Sequence, residues 1–263
     1  MEKLRIATRE SALALWQANH VKALLETRHS GLVCDIIGMT TEGDRNKVSP
    51  LSQIGGKGVF VKELETALLE GNADIAVHSM KDVPAKIPKG LGITAICERA
   101  SPLDAFVAND CPNLDSLPQG AVVGSSSLRR VLQIKAVYPH LNFRELRGNV
   151  DTRLGKLDRQ EYDGIILAVA GLTRLGRADR ISDSIEPEVC LPAAGQGAVG
   201  IESRLDDNKT LDLLVDVNHF ATWTEVSAER RVTMALGAAC NLPIAVFGES
   251  FQDRLRLRAF VAD

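Results

Sequence analysis

Apolar and polar positions along the chain fall into blocks that switch between the two-residue repeat of a strand and the repeat of about 3.6 of a helix. Residues 4–7 read as a buried strand. Residues 11–28 read as a helix whose Leu13, Trp16, Val21, Leu24 and Leu25 share one face. A second strand follows at 32–39, then a polar, Gly-rich stretch at 40–58 with little periodicity. Phe60, Val61, Leu64, Ala67 and Leu68 recur at helical spacing, and residues 73–78 form a short apolar run. Pro84 and Pro88 break regular structure before a strand at 91–97.

A second series starts near Asp104. Strands are expected at 121–124, 142–146 and 164–170, helices at 127–138 and 149–160, and a helical turn around Thr173. Such alternation predicts parallel sheets covered by helices, with ligands at the carboxyl ends of the strands. A strand at 198–202, after Gly195-Gln196-Gly197, is expected to return to the first sheet, giving two lobes joined by crossing segments around a cleft. Thr222-Trp223-Thr224-Glu225 fits a capping box for a helix running to about Gly237. Ala238-Ala239-Cys240-Asn241-Leu242-Pro243 then reads as a loop and 255–261 as a last strand. The domains expected are a discontinuous first lobe (1–97 with 198–215), a second lobe (103–191) and a terminal unit (220–263). With 44 residues, that unit is below the usual size of an independent domain and must lean on the others.

Composition narrows the function. A 45% apolar and 25% charged chain is an ordinary globular one. Aromatics at 4% and a net charge of -3 argue against a nucleic-acid binder. No run approaches a membrane span, and the first residues lack an apolar signal core, so a cytoplasmic protein is expected. The five cysteines form no C-x-x-C pair, so neither structural zinc nor a disulfide framework is expected, and no metal site is assigned.

Charge is unevenly placed. Residues 121–180 hold nine arginines and two lysines against six acids, a balance of +5, which leaves -8 for the rest. Several of these arginines follow Gly, Ser or Thr at strand ends, where guanidinium forks suit a ligand with several carboxylates or phosphates. Arg129 and Arg130 stand in the first turn of a helix behind Ser125-Ser126-Ser127; the helix dipole disfavours cations there, so the pair implies a compensating anion. Arg147 and Arg153 flank a second such turn and Arg174 a third.

Gly55-Gly56-Lys57-Gly58 before a helix start reads equally as an anion site and as a glycine hinge, and it lacks Walker A spacing. Ser79-Met80-Lys81-Asp82-Val83-Pro84 puts an acid and a base at the end of a buried strand, where Asp82 suits proton transfer or steadying of a cation; a proline-ended surface turn is the other reading. Cys240, in a loop of small residues, is a covalent attachment point or a buried structural cysteine.

The residues Ile6-Ala7-Thr8-Arg9 with Ser11, Gly55-Gly56-Lys57-Gly58, Val77-His78-Ser79-Met80-Lys81-Asp82-Val83-Pro84, Ser126-Ser127-Leu128-Arg129-Arg130, Leu146-Arg147-Gly148-Asn149-Val150, Thr152-Arg153, Ala170-Gly171-Leu172 with Arg174, and Gly195-Gln196-Gly197-Ala198 closely resemble the porphobilinogen deaminase (hydroxymethylbilane synthase) family. The resemblance runs in order from residue 4 to about 247. It implies two periplasmic-binding-protein-like lobes and a small third α/β domain, here truncated, since family members continue past the position of Asp263.

It further implies an enzyme that condenses four porphobilinogen molecules head to tail, losing ammonia each time, on a dipyrromethane cofactor bound through a thioether to Cys240. Lys81, Ser127, Arg129, Arg130, Arg147 and Arg153 would bind the cofactor. Arg9, Ser11, Lys57, Phe60, Ser79 and Arg174 would bind substrate. Asp82 matches the catalytic aspartate, which accepts pyrrole N–H groups and stabilises the cationic azafulvene. Residues 43–58 would be a mobile loop over the cleft. A cytoplasmic monomer in heme biosynthesis, with no nucleic-acid or membrane partner, is expected.

The chain departs from the family pattern at Ala238, Ala239 and Ala245, where glycines are usual, and at Ser101-Pro102-Leu103-Asp104, where Asp-Pro-Arg-Asp is usual. The alanines would cost about 1 kcal/mol each where positive φ is required, and Leu103 removes an interdomain ion pair. The competing reading is a two-lobed protein that captures a small polycarboxylate without turnover. It explains the arginines but not Asp82 together with Cys240. An RNA-binding module, whose binding would fall steeply with salt, lacks the interleaved aromatics.

Overall fold

The computed structural model describes residues 2–41, 43, 58, 61–237 and 243–262. The described residues build two five-stranded sheets and a two-stranded one. In the first sheet, β1 (Glu2–Arg9) lies between β2 (Leu32–Met39) and β3 (Ile75–Ser79), parallel to both. Beyond β3 come β10 (Val199–Arg204) and then β4 (Leu91–Ile96). In the second sheet, β6 (Val122–Gly124) lies between and parallel to β7 (Asn142–Arg144) and β8 (Gly164–Ala168), followed by β5 (Asp104–Val107) and β9 (Asp183–Ile185).

The two sheets therefore share one plan, and each departs from the all-parallel expectation in its fourth strand. β10 runs antiparallel to β3 and β4, and β5 runs antiparallel to β8 and β9. The reason is connectivity. Each of these strands enters its sheet straight from a segment that crosses between the lobes, at the carboxyl end of the parallel strands. With no helix to carry it back to the far end, it must run the opposite way.

Among the described residues, α1 (Ala12–Arg28), α2 (Lys62–Leu69) and α6 (Asn208–Val215) cover the first sheet. The second carries α3 (Leu128–Val137), α4 (Val150–Asp158) and the short α5 (Val169–Arg174). The buried face of α1 is Ala14, Gln17, Ala18, Val21 and Leu25 rather than the stripe through Leu13 and Trp16. Small alanines let the helix close on the sheet, while Trp16 turns toward the other lobe, its ring 5.3 Å beneath the Arg174 guanidinium.

The last helix, α7 (Phe220–Ala235), starts two residues before Thr222, so the capping box expected there is not its start. His219 is the N-cap, its ring nitrogen accepting from Thr222 N at 3.3 Å. α7 packs on the hairpin of β11 (Ile244–Phe251) and β12 (Arg254–Val261). Gly248 makes the approach possible, since a Cβ there would lie 3.3 Å from Glu225 O. Ala245 is an ordinary buried strand residue paired with Phe260, outside the positive-φ region, so alanine carries no backbone penalty there. Ala238 and Ala239 lie outside the described residues.

The crossing segments meet edge to edge. Cys97 N donates to Val199 O at 3.0 Å and Ala100 N to Gly197 O at 3.2 Å. Gly197 has φ +86°, and a Cβ on it would stand 2.8 Å from Ser101 O, so glycine alone fits where the two strands of the hinge touch.

Candidate active site

The parallel arrangement brings the loop ends of both sheets to one cleft. On the first lobe, Arg9 ends β1, Ser11 caps α1 by accepting from Ala14 N at 3.4 Å, and Ser79 ends β3. Gln17 Nε2 reaches Ser79 Oγ at 3.5 Å, joining the first turns of α1 to that strand end. Lys81 and Asp82 sit on a single 3-10 turn, Met80–Asp82, immediately beyond β3. The turn is fixed from below: Met80 N donates to Ala198 O at 3.1 Å, and Gly195 leaves the space Met80 fills.

On the second lobe, Ser127 is the N-cap residue of α3 and Asn149 that of α4, whose side chain accepts from Thr152 N at 2.8 Å. These caps set Arg129, Arg130, Arg147 and Arg153 around the carboxyl ends of β6 and β7. Arg153 Nε donates to Gly148 O at 2.7 Å, and Arg147 Nε lies 3.8 Å from Glu145 Oε1.

The anion that Arg129 and Arg130 require is supplied by the chain itself. Asp104, fully buried on β5, takes Arg129 Nη2 on Oδ2 at 2.7 Å and Arg130 Nη2 on Oδ1 at 2.6 Å. Arg130 Nε at 3.0 Å, Gln196 Nε2 at 2.9 Å and Cys190 Sγ at 3.4 Å donate to it as well. Burial alone would push this carboxyl up, but the two guanidinium groups and the amide outweigh it and hold it well below the usual carboxylate range. Arg129 Nη1 also donates to Leu191 O at 2.6 Å and Arg130 Nη1 to Ile166 O at 2.9 Å. Both guanidinium groups are thus bound into the lobe, with Gln196 tying them to the hinge.

The charges of the two lobes act on one another. Burial brings the Lys81 ammonium down to about 8; Asp82 and Asp104 oppose that shift, and Arg130 and Arg129 add to it. Burial, then Arg130 and Arg147, brings Arg153 down to about 10 against the pull of Asp82. Lys81, Asp82, Arg130, Arg147 and Arg153 therefore share one field. Arg174 belongs to a different grouping: it donates to Gly197 O at 2.7 Å, stacks on Trp16, and lines a cavity of about 510 Å³ with His20 and Arg99. Lys57, Phe60 and Cys240 lie outside the described residues.

Two buried groups here were not singled out from sequence. Arg99 in the first crossing segment grips Glu229 of α7 with both arms, at 2.7 and 3.3 Å. Glu229 also accepts from Gly195 N at 2.6 Å and Gly248 N at 2.8 Å, so one carboxylate holds both crossing segments and the terminal hairpin. Its signal was present: an acid at a position spaced with Thr222 and Val226, the other buried residues of the helix. Among the described residues, no three His, Cys, Asp or Glu side chains gather to hold a metal. No described helix is long and apolar enough to cross a membrane.

A sequence profile described as "Porphobilinogen deaminase, dipyromethane cofactor binding domain" matches residues 4–212. The chain belongs to the porphobilinogen deaminase family. Among solved structures, the chain is similar in fold to the methionine-binding protein MetQ, at TM-score 0.52 and 14% identity over 89% of this chain and 96% of that one. A pheromone cOB1 precursor/lipoprotein of the YaeC family from Enterococcus faecalis V583 gives TM-score 0.51 and 14% identity over 90% and 98%. At such identity these likenesses speak for the two-lobed, periplasmic-binding-protein-like architecture alone. The porphobilinogen deaminase match spans both large sheets, and the cleft between them is where that family match and the charge field coincide.

Proposed function

We propose that the chain is a hydroxymethylbilane synthase, joining four porphobilinogen molecules head to tail with loss of ammonia at each step, as a cytoplasmic monomer serving tetrapyrrole synthesis. The observation that carries this reading is the Asp82 carboxylate, on a turn of one lobe within the cationic field of the other. Asp104 with its two arginines is net positive, and Lys81, Arg147 and Arg153 set against Asp82 and Glu145 add a further positive charge, so the cleft is cationic on balance. That imbalance suits a ligand carrying several carboxylates, and each pyrrole unit brings an acetate and a propionate.

The same cationic surface fits a dipyrromethane group, whose side chains Lys81, Ser127, Arg147 and Arg153 would hold and to which Cys240 would bond, with Arg129 and Arg130, bound to Asp104, supplying positive field behind it. When bound, that group supplies the pyrrole carbon to which the first unit is joined. Arg9, Ser11, Lys57, Phe60 and Ser79 orient the arriving porphobilinogen, while Arg174, held on Gly197 O and Trp16, would reach it only by leaving those contacts. Asp82 accepts the pyrrole N–H, steadies the positive charge that develops as the C–N bond to ammonia breaks, and takes up the proton lost when the new carbon–carbon bond forms.

Incubating the purified chain with porphobilinogen should release bilane, and the intact mass should carry the two-pyrrole adduct. Cys240→Ser should remove the adduct and turnover together. A chain that binds porphobilinogen but neither releases bilane nor carries the adduct would instead be the non-catalytic two-lobed binder. Affinity should also depend on pH. Because the Lys81 ammonium loses its proton near 8, calorimetric affinity for porphobilinogen should fall as pH rises from 7 to 9. A flat profile would remove Lys81 from the carboxylate site.

A further inference from the structure

Beyond Asp82 the chain has no regular structure until β4 starts at Leu91, so no ladder holds its backbone there. Pro84 removes one of the donors that could have built one. The turn itself is closed by Val83 N donating to Met80 O at 3.3 Å. Its near side is fixed by Ala198 and by the glycines that make room for Met80. Its far side is held from the terminal unit. Arg230 of α7 donates through Nη1 to Val83 O at 3.2 Å and through Nη2 to Pro84 O at 2.9 Å, the first two carbonyls after Asp82.

Packing and polar contact divide the work between them. Val226 and Trp223 of α7 join Met80, Val83, Ile96 and Ala198 in one apolar cluster, which supplies the burial. Burial is non-directional and does not fix how a peptide plane is turned. Two N–H donors in a rigid fork do fix it. The preceding residue, Glu229, anchors the same helix to both crossing segments. Adjacent residues of one helix thus tie the terminal unit to the hinge and to the turn that carries Asp82.

We infer that Arg230 is a positioning residue: the terminal unit sets the direction of the Asp82 carboxylate by holding the two carbonyls that follow it. The inference rests on Asp82 being the reacting carboxylate. It predicts an effect on the chemical step rather than on ligand capture, because the arginines of the cleft are untouched.

Arg230→Met should lower kcat about 10²-fold, the scale of a misplacement of about 1 Å, with KM for porphobilinogen within about twofold. Arg230→Lys, with one donor group in place of the fork, should fall between the two. Arg231→Met, on the exposed neighbouring residue, should behave as wild type. Amide exchange in a peptide covering 80–90 should quicken in Arg230→Met while exchange in β10 stays unchanged, a readout independent of turnover. Wild-type kcat in Arg230→Met beside an inactive Asp82→Asn would overturn the inference alone, as would a raised KM at unchanged kcat. Normal turnover by Asp82→Asn would overturn the functional reading and this inference together. Global unfolding of both Arg230 variants would make Arg230 structural and also overturn it.

Discussion

Asp104→Asn is expected to destabilise the folded chain by about 3–5 kcal/mol, the range for removing one partner of a buried charge cluster. The substitution keeps the shape and removes the charge, so two buried guanidinium groups, with hydrogen bonds at 2.7 and 2.6 Å to the lost carboxylate, are left facing an amide. The two cations also sit in the first turn of α3, where the helix dipole opposes them, so the penalty is not relieved locally.

The pH dependence has a definite sign. The folded-state value of Asp104 is depressed, so its contribution is present above the unfolded value, about 3.9, and is lost as pH falls through the folded one. Urea unfolding of wild type and variant should therefore differ by the same amount from pH 8 to about 4 and converge only below that. A variant within about 1 kcal/mol of wild type at pH 7 would show that Asp104 is not the counter-charge, since that lies well under the buried-pair range.

The same residue marks the limit of what sequence carried. The bounds of β2, α1, α3 and α4 were legible to within two residues, but not every buried face was: α1 buries Gln17, and α3 buries Arg129, Arg130 and Gln133 beside Ile134. The pattern was blind to direction. It could not say that β5 and β10 run antiparallel, because that follows from where a crossing segment delivers the chain. β11 was missed because Gly248 and two polar residues, Glu249 and Ser250, break its apolar run, although the glycine is what lets α7 approach.

The doublet Arg129-Arg130 correctly announced a compensating anion. Sequence alone gives no distance from this helix to Asp104, 25 residues before Arg129 and on a strand, so the anion read as external when it is internal. Arg129 and Arg130 are thus committed to Asp104, while burial and neighbouring cations bring Lys81 and Arg153 below their usual range.

Asp82→Asn should abolish nearly all turnover, a loss of about 10²–10⁴-fold, the usual contribution of a positioned acid–base group, while leaving stability within about 0.5 kcal/mol as for a surface site. The residue is only half-buried, and its turn is held by Met80, Ala198 and Arg230 rather than by its own carboxylate. Capture of porphobilinogen should persist, because the cations that meet its carboxylates remain. The affinity profile should nevertheless move. Asp82 is the strongest influence opposing the burial shift of Lys81, so without it the lysine loses its proton at still lower pH. The fall in affinity expected near pH 8 in the wild type should then set in earlier in the variant. Turnover and the affinity profile therefore test one carboxylate in two ways. Near-normal bilane release by Asp82→Asn would exclude it from the chemistry, and an unmoved affinity profile would separate it from Lys81.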